Sequence, residues 1–81
     1  VTGPTHDRFL TLVRDEWERA RGKHEPMNSP HEAYAVILEE LDEFWEEVRA
    51  QTDARNGAHM LKELVQIAAM CERAAHDLDL L

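Results

Sequence analysis

Three observations on this 81-residue chain predict an all-α fold. Apolar residues recur at spacings of three and four in three separate segments, the period of a helix with one buried face. No segment alternates apolar and polar residues as a half-buried strand would. The run Ser29-Pro30-His31-Glu32 places a cap residue, a proline at the first helical position and a glutamate at the third, a strong helix-start signature. The expected chain is one domain, residues 1–81, with helices at about 5–23, 30–50 and 56–78. Helices two and three are expected to form an antiparallel hairpin. So short a chain buries little surface by itself, so a homodimer or homotetramer is expected to complete the helical bundle.

The first helix has Pro4 and Thr5 as start signals. Phe9, Val13, Trp17 and Ala20 form one apolar stripe, with Leu10 and Leu12 beside it. Gly22 is expected to end it, and His24 to Asn28 reads as a loop. The second helix follows the cap at Ser29, with a broad apolar face of Tyr34, Ile37, Leu38, Leu41, Phe44, Trp45 and Val48. The polar stretch from Gln51 to Gly57 closes it. The third helix is expected to begin between Asp53, a candidate cap, and Ala58. Its apolar face is Met60, Leu64, Ile67, Cys71, Ala74 and Leu78, and Ala68, Ala69 and Ala75 allow close helix approach.

The formal net charge is −8. That balance argues against a nucleic-acid-binding module and against docking on anionic membranes, both of which call for a basic face. No apolar run is long enough to span a bilayer or to act as a signal peptide. Cys71 is the only cysteine, which excludes an intramolecular disulfide and suits a cytoplasmic location. On the apolar stripe, Cys71 is expected in the core and not as a nucleophile.

At ~100° per residue, Glu40, Glu43 and Glu47 share one flank of helix two with Ala33 and Val36, beside the apolar face. Glu39, Asp42, Glu46 and Arg49 point to the far, solvated side. On helix three, Glu63 lies at the edge of the apolar face, with His59, Gln66, Met70 and Asp77 along the same edge. Antiparallel packing would bring Glu40, Glu43, Glu63 and Gln66 to one small polar pocket. Carboxylates held together repel one another, and a cation relieves them. Oxygen-only ligands favour Mg²⁺, Mn²⁺ or Ca²⁺ over zinc. The competing account is a solvated acidic face, in a chain with 17 Asp and Glu.

Glu39-Glu40-x-x-Glu43 followed by Glu63-x-x-Gln66 resembles the E-E-x-x-E and E-x-x-D motifs of the MazG-like all-α nucleoside triphosphate pyrophosphohydrolases. The resemblance covers helices two and three, about half the chain, and helix one with its loop is similar to short phage and bacterial members. It implies cleavage of a (d)NTP between the α- and β-phosphates, giving the monophosphate and pyrophosphate. It further implies Mg²⁺ (or Mn²⁺) as cofactor, held by Glu40, Glu43, Glu63 and Gln66, with Glu40, Glu43 and Glu63 as the catalytic carboxylates and Glu39 as a lesser candidate for assisting water. Gln66 stands where the family has aspartate. An amide oxygen can coordinate a metal but carries no charge and cannot act as a base.

A triphosphate also needs cationic partners. Arg73 and Lys62 on helix three are candidates, as are Lys23 and Arg55 near the loops; each is otherwise a solvated charge. Trp17, Tyr34 and Trp45 can stack on a base or fill the core or a subunit interface. His59 can reach a metal or phosphate or remain on the surface. No Gly-rich phosphate loop and no Ser-nucleophile motif is present. Two other functions remain open: a non-catalytic metal- or nucleotide-binding regulator of the same fold, and a helical protein-interaction module.

Overall fold

The computed structural model describes residues 4–50 and 56–81. Asp53 and Arg55 lie outside that range. Three helices make up the described chain: α1 (Pro4–Lys23), α2 (Pro30–Ala50) and α3 (Asn56–Asp77). No strand occurs among the described residues, and no helix is long and apolar enough to cross a membrane.

Local chemistry accounts for the helix ends. The Glu32 N–H donates to Ser29 Oγ at 3.1 Å, while the Glu32 carboxylate accepts the Asn28 N–H at 2.8 Å. The box therefore closes one residue earlier than its usual form, in which the glutamate returns to the N-H of the cap itself. Gly22 does not end α1, which runs on through Lys23. The C-terminus of α3 is a Schellman turn: the Leu80 N–H donates to Ala75 O (2.9 Å) and the Asp79 N–H to His76 O (3.0 Å). Asp79 holds φ at 59°, in the left-handed region where glycine is the usual residue.

Helix α3 is central: α1 and α2 each pack against it and, among the described residues, not against each other. The core is built from Val13 and Ala20 of α1, Met27 of the loop, Ala33 of α2, and Val65, Ala69, Met70 and Ala74 of α3. The two alanines of α3 explain the arrangement, since small side chains let helices approach on two sides of one axis. The expected apolar faces are therefore only partly used. Phe9 and Leu10 of α1 are exposed, as are Tyr34, Leu38, Leu41, Trp45 and Val48 of α2. Leu64 and Cys71 of α3 are exposed as well, so the expected core position of Cys71 is corrected. One α3 cannot cover an apolar face as wide as that of α2.

The loop between α1 and α2 is clasped by α3. Met27 is 2% exposed, and its N–H donates to Asp77 Oδ2 at 2.8 Å. Arg73, 6% exposed, donates from Nη2 to Glu25 O at 2.7 Å. Its Nε lies 3.5 Å from Asp77 Oδ2. A buried guanidinium is tolerated because a carboxylate and a carbonyl satisfy it. The clasp sets the start of α2 beside the end of α3.

Candidate metal centre

The flank that separates Glu40, Glu43 and Glu47 from their acidic neighbours on α2 corresponds to a difference in burial. Ala33 is buried, Val36, Glu40 and Glu47 are half-buried, and Glu39, Asp42, Glu46 and Arg49 are exposed; Glu43 is exposed too and belongs to the flank by direction alone. Arg49 and Glu46 pair at 2.7 Å in solvent. Glu40 and Glu43, three apart on one helix, reach towards α3 and meet Glu63. One carboxylate oxygen from each of the three lies within 4.8 Å of the other two.

Gln66 sits among these groups, one turn after Glu63. With Nε2 turned towards the carboxylates it donates to Glu40 Oε1 at 3.0 Å and Glu63 Oε1 at 3.3 Å. The opposite orientation would set an amide oxygen against acceptors alone. A cation among the three carboxylates would reverse that preference, because Oε1 then becomes a ligand.

The electrostatics reflect crowding of like charge. The Glu40 carboxyl is raised from an ordinary 4.5 to about 7, by burial first and then by Glu43, Glu63, Glu39 and Glu16. The Glu63 carboxyl is raised by burial, then by the charge of Glu43 and a hydrogen bond to it, with Lys62 pulling the other way. Geometry can be tested against candidate ions. Trans oxygens about Mg²⁺ are ~4.2 Å apart and about Ca²⁺ roughly 4.6–5.2 Å apart. Oxygens within 4.8 Å of one another lie within the span of one such ion, and binding would draw at least two of the three pairs to the shorter cis spacing, roughly 2.9 Å about Mg²⁺.

Glu40 and Gln66 also line a cavity of about 370 Å³ between α1 and α2, floored by α3. Its other walls include Arg19, His24, Glu39 and Arg73. The size falls in the range of small-molecule sites. Gln66 and Arg19 also line a second cleft of about 400 Å³, with Arg8, Leu12, Leu61 and Lys62. Positive and negative groups therefore face each other across adjoining hollows.

The remaining candidates are distributed differently. Arg73 reaches the cavity, but three of its contacts hold structure: Glu25 O, Asp77 and Met70 Sδ at 3.6 Å. Lys62 is exposed beside Glu63 and faces the second cleft. Trp17 lines neither hollow; it packs against the His76 ring at 5.0 Å with Arg21 over its face at 4.7 Å. His59 and Lys23 are exposed. Asp77, placed by periodicity on the same edge as Gln66, instead serves the loop clasp. The contribution of α1, through Glu16 and Arg19, is new. Its signal was present: Glu16 lies between Val13 and Ala20 on the buried stripe, an unusual place for a carboxylate.

No family model, curated protein or solved structure matches the chain.

Proposed function

We propose that this protein is a Mg²⁺- or Mn²⁺-dependent nucleotide pyrophosphohydrolase of MazG-like type, converting a (d)NTP to the monophosphate and pyrophosphate. The observation that carries this proposal is the convergence of Glu40, Glu43 and Glu63 from two helices, with Glu40 also lining a cavity of small-molecule size. Three carboxylates this close are in conflict unless a proton or a cation lies between them, and carboxylate oxygens are the ligands a hard divalent ion takes. When bound, such an ion supplies charge neutralisation at phosphate oxygens. The residues of the chain do the rest. Glu40, Glu43 and Glu63 hold the ion, with Gln66 turning its amide to add a neutral ligand. Glu39, exposed on the cavity wall, is free of that duty and can orient the attacking water. Arg19 and Arg73 bring positive charge to the same cavity, and Lys62 to the adjoining cleft.

The proposal includes an antiparallel α2–α3 hairpin. It is supported by contact of Met27, just before α2, with Asp77 at the end of α3, and by contact of Glu40 with Gln66 midway. It also includes a homo-oligomer and a cytoplasmic setting, in keeping with one free cysteine.

One observation favours a second function, a non-catalytic metal- or nucleotide-binding protein. Gln66 already quiets two carboxylates by hydrogen bonding, and it supplies neither the charge nor the basicity of an aspartate. Pyrophosphate release from a panel of (d)NTPs with Mg²⁺ or Mn²⁺ separates the two. Release well above that of a Glu40→Gln/Glu63→Gln variant supports the hydrolase. Equal release sinks it, and metal-dependent thermal stabilisation without turnover then supports the binding protein.

A further inference from the structure

We propose that the face of α2 opposite the acidic site is a self-association surface, on which a second copy of this chain docks through Tyr34, Leu38, Leu41, Trp45 and Val48 together with Leu64 of α3. This names the surface behind the expected oligomer. Its test reads mass and not turnover, so its failure leaves the hydrolase proposal standing, and the reverse.

Four features support the assignment. The five α2 residues are spaced by four, three, four and three, the repeat of a seam that seats a partner helix by knobs-into-holes packing. All are large and apolar, yet they stand 68, 40, 45, 56 and 38% exposed, with Leu64 at 42%. Full areas of large apolar residues are roughly 150–250 Å², so these fractions leave roughly 500 Å² of apolar surface per chain. Two such faces bury about 1,000 Å², the threshold of a specific interface, before flanking residues are added.

The seam is also nearly palindromic. Tyr34 and Val48 lie seven residues to either side of Leu41, and Leu38 and Trp45 lie three and four residues away. An antiparallel copy therefore meets the same spacing it presents, which is the condition for a closed two-fold contact. A pair formed in this way leaves no equivalent seam open to a third chain. Finally, Leu41 and Glu43 are two residues apart on α2, as are Leu64 and Gln66 on α3. At ~100° per residue each pair points in nearly opposite directions. Docking on the seam leaves the carboxylates and their cavity open to small molecules.

The net charge of −8 per chain opposes self-association at low ionic strength, so salt is expected to tighten it several-fold. Sedimentation equilibrium from ~2 to ~200 µM should give twice the 9.4 kDa chain mass at the upper end. Leu41→Asp places like charges near the two-fold axis and should weaken the dimer by ~100-fold or more, with helical circular dichroism retained. Leu10→Asp, at an exposed α1 position (51%), should leave the dimer intact. Should Leu41→Asp unfold, acrylamide quenching of Trp45 in a Trp17→Phe chain gives a second measurement: quenching should fall as concentration drives association. A chain of 9.4 kDa mass throughout overturns the proposal and leaves the seam to a different partner. It is equally overturned if folded Leu41→Asp remains dimeric, if Leu10→Asp dissociates the dimer as fully, or if Trp45 quenching stays constant while the mass doubles.

Discussion

Replacing Glu40 with glutamine should make the metal-free protein more stable at pH 8 and leave it unchanged near pH 4. The sign follows from proton linkage. The Glu40 carboxyl is raised from an ordinary 4.5 to about 7 in the folded chain, so between those values the folded state holds a proton that the unfolded state has released. Stability from this group is therefore lost as pH rises from about 4.5 through 7, and the loss is complete above 7. At 1.36 kcal/mol per tenfold, the difference between 4.5 and about 7 corresponds to an upper bound of about 3.4 kcal/mol. Glu40 keeps part of its surface in water, and solvent screening reduces such figures by half or more. A gain of about 1–2 kcal/mol at pH 8 is expected, or roughly 4–15 °C in Tm for a chain of this size. Paired urea or thermal denaturation of both proteins from pH 4 to 8, first with chelator and then with ~10 mM Mg²⁺, isolates the effect. Metal should stabilise the native protein at pH 8 and the variant far less. A variant that is less stable at pH 8, or whose difference from the native protein does not change with pH, would refute carboxylate crowding as the property of this site.

Three further outcomes are expected. Gln66→Asp removes two donated hydrogen bonds and adds a fourth carboxylate, so it should lower metal-free stability at pH 8 while reducing the Mg²⁺ concentration needed for stabilisation; a Mg²⁺ titration followed by Tm reads both, and weaker Mg²⁺ binding would count against Gln66 as a neighbour of the ion. Arg73→Met should cost about 3 kcal/mol by leaving Asp77 and Glu25 O without their buried partner; a urea midpoint unchanged within error would mean that the loop clasp contributes nothing. Asp79→Gly relieves a left-handed aspartate at the end of α3 and should add about 0.5–1 kcal/mol in thermal denaturation; a loss of stability would show that the aspartate side chain has a favourable role there.

Periodicity and capping chemistry place the end of α1 at Lys23, the start of α2 at Pro30 and the end of α3 within one residue of Asp77, because helix boundaries depend on neighbours in sequence. The end of α3 is less legible. A Schellman turn normally carries glycine, and here Asp79 takes its place. The candidate site was legible in outline for the same local reason: spacing along α2 separates Glu40 and Glu43 from Asp42 and Glu46, whatever they pack against. Arg73 shows the limit. As a charge on the edge of a helix it is indistinguishable from a solvated cation or a phosphate ligand. Its burial depends on Glu25 O, 48 residues away in the chain, and no local pattern carries that contact. Met27 is similar: a lone apolar residue between Pro26 and Asn28 gives no periodic signal, yet it is among the most buried side chains.

By itself, then, the sequence determined the helices, their polarity patterns and the set of acidic groups on one flank, since each arises from interactions within a few residues. Tertiary structure decided which apolar faces are used. With α3 central and α1 and α2 apart, α2 buries apolar surface only along Ala33, Val36, Ile37 and Phe44, and the stripe from Tyr34 to Val48 remains exposed. It also decided that Glu63 lies close enough to Glu40 and Glu43 for their charges to conflict. Coulomb energy and desolvation depend on distances across helices, which are set only when the side chains of α3 have packed.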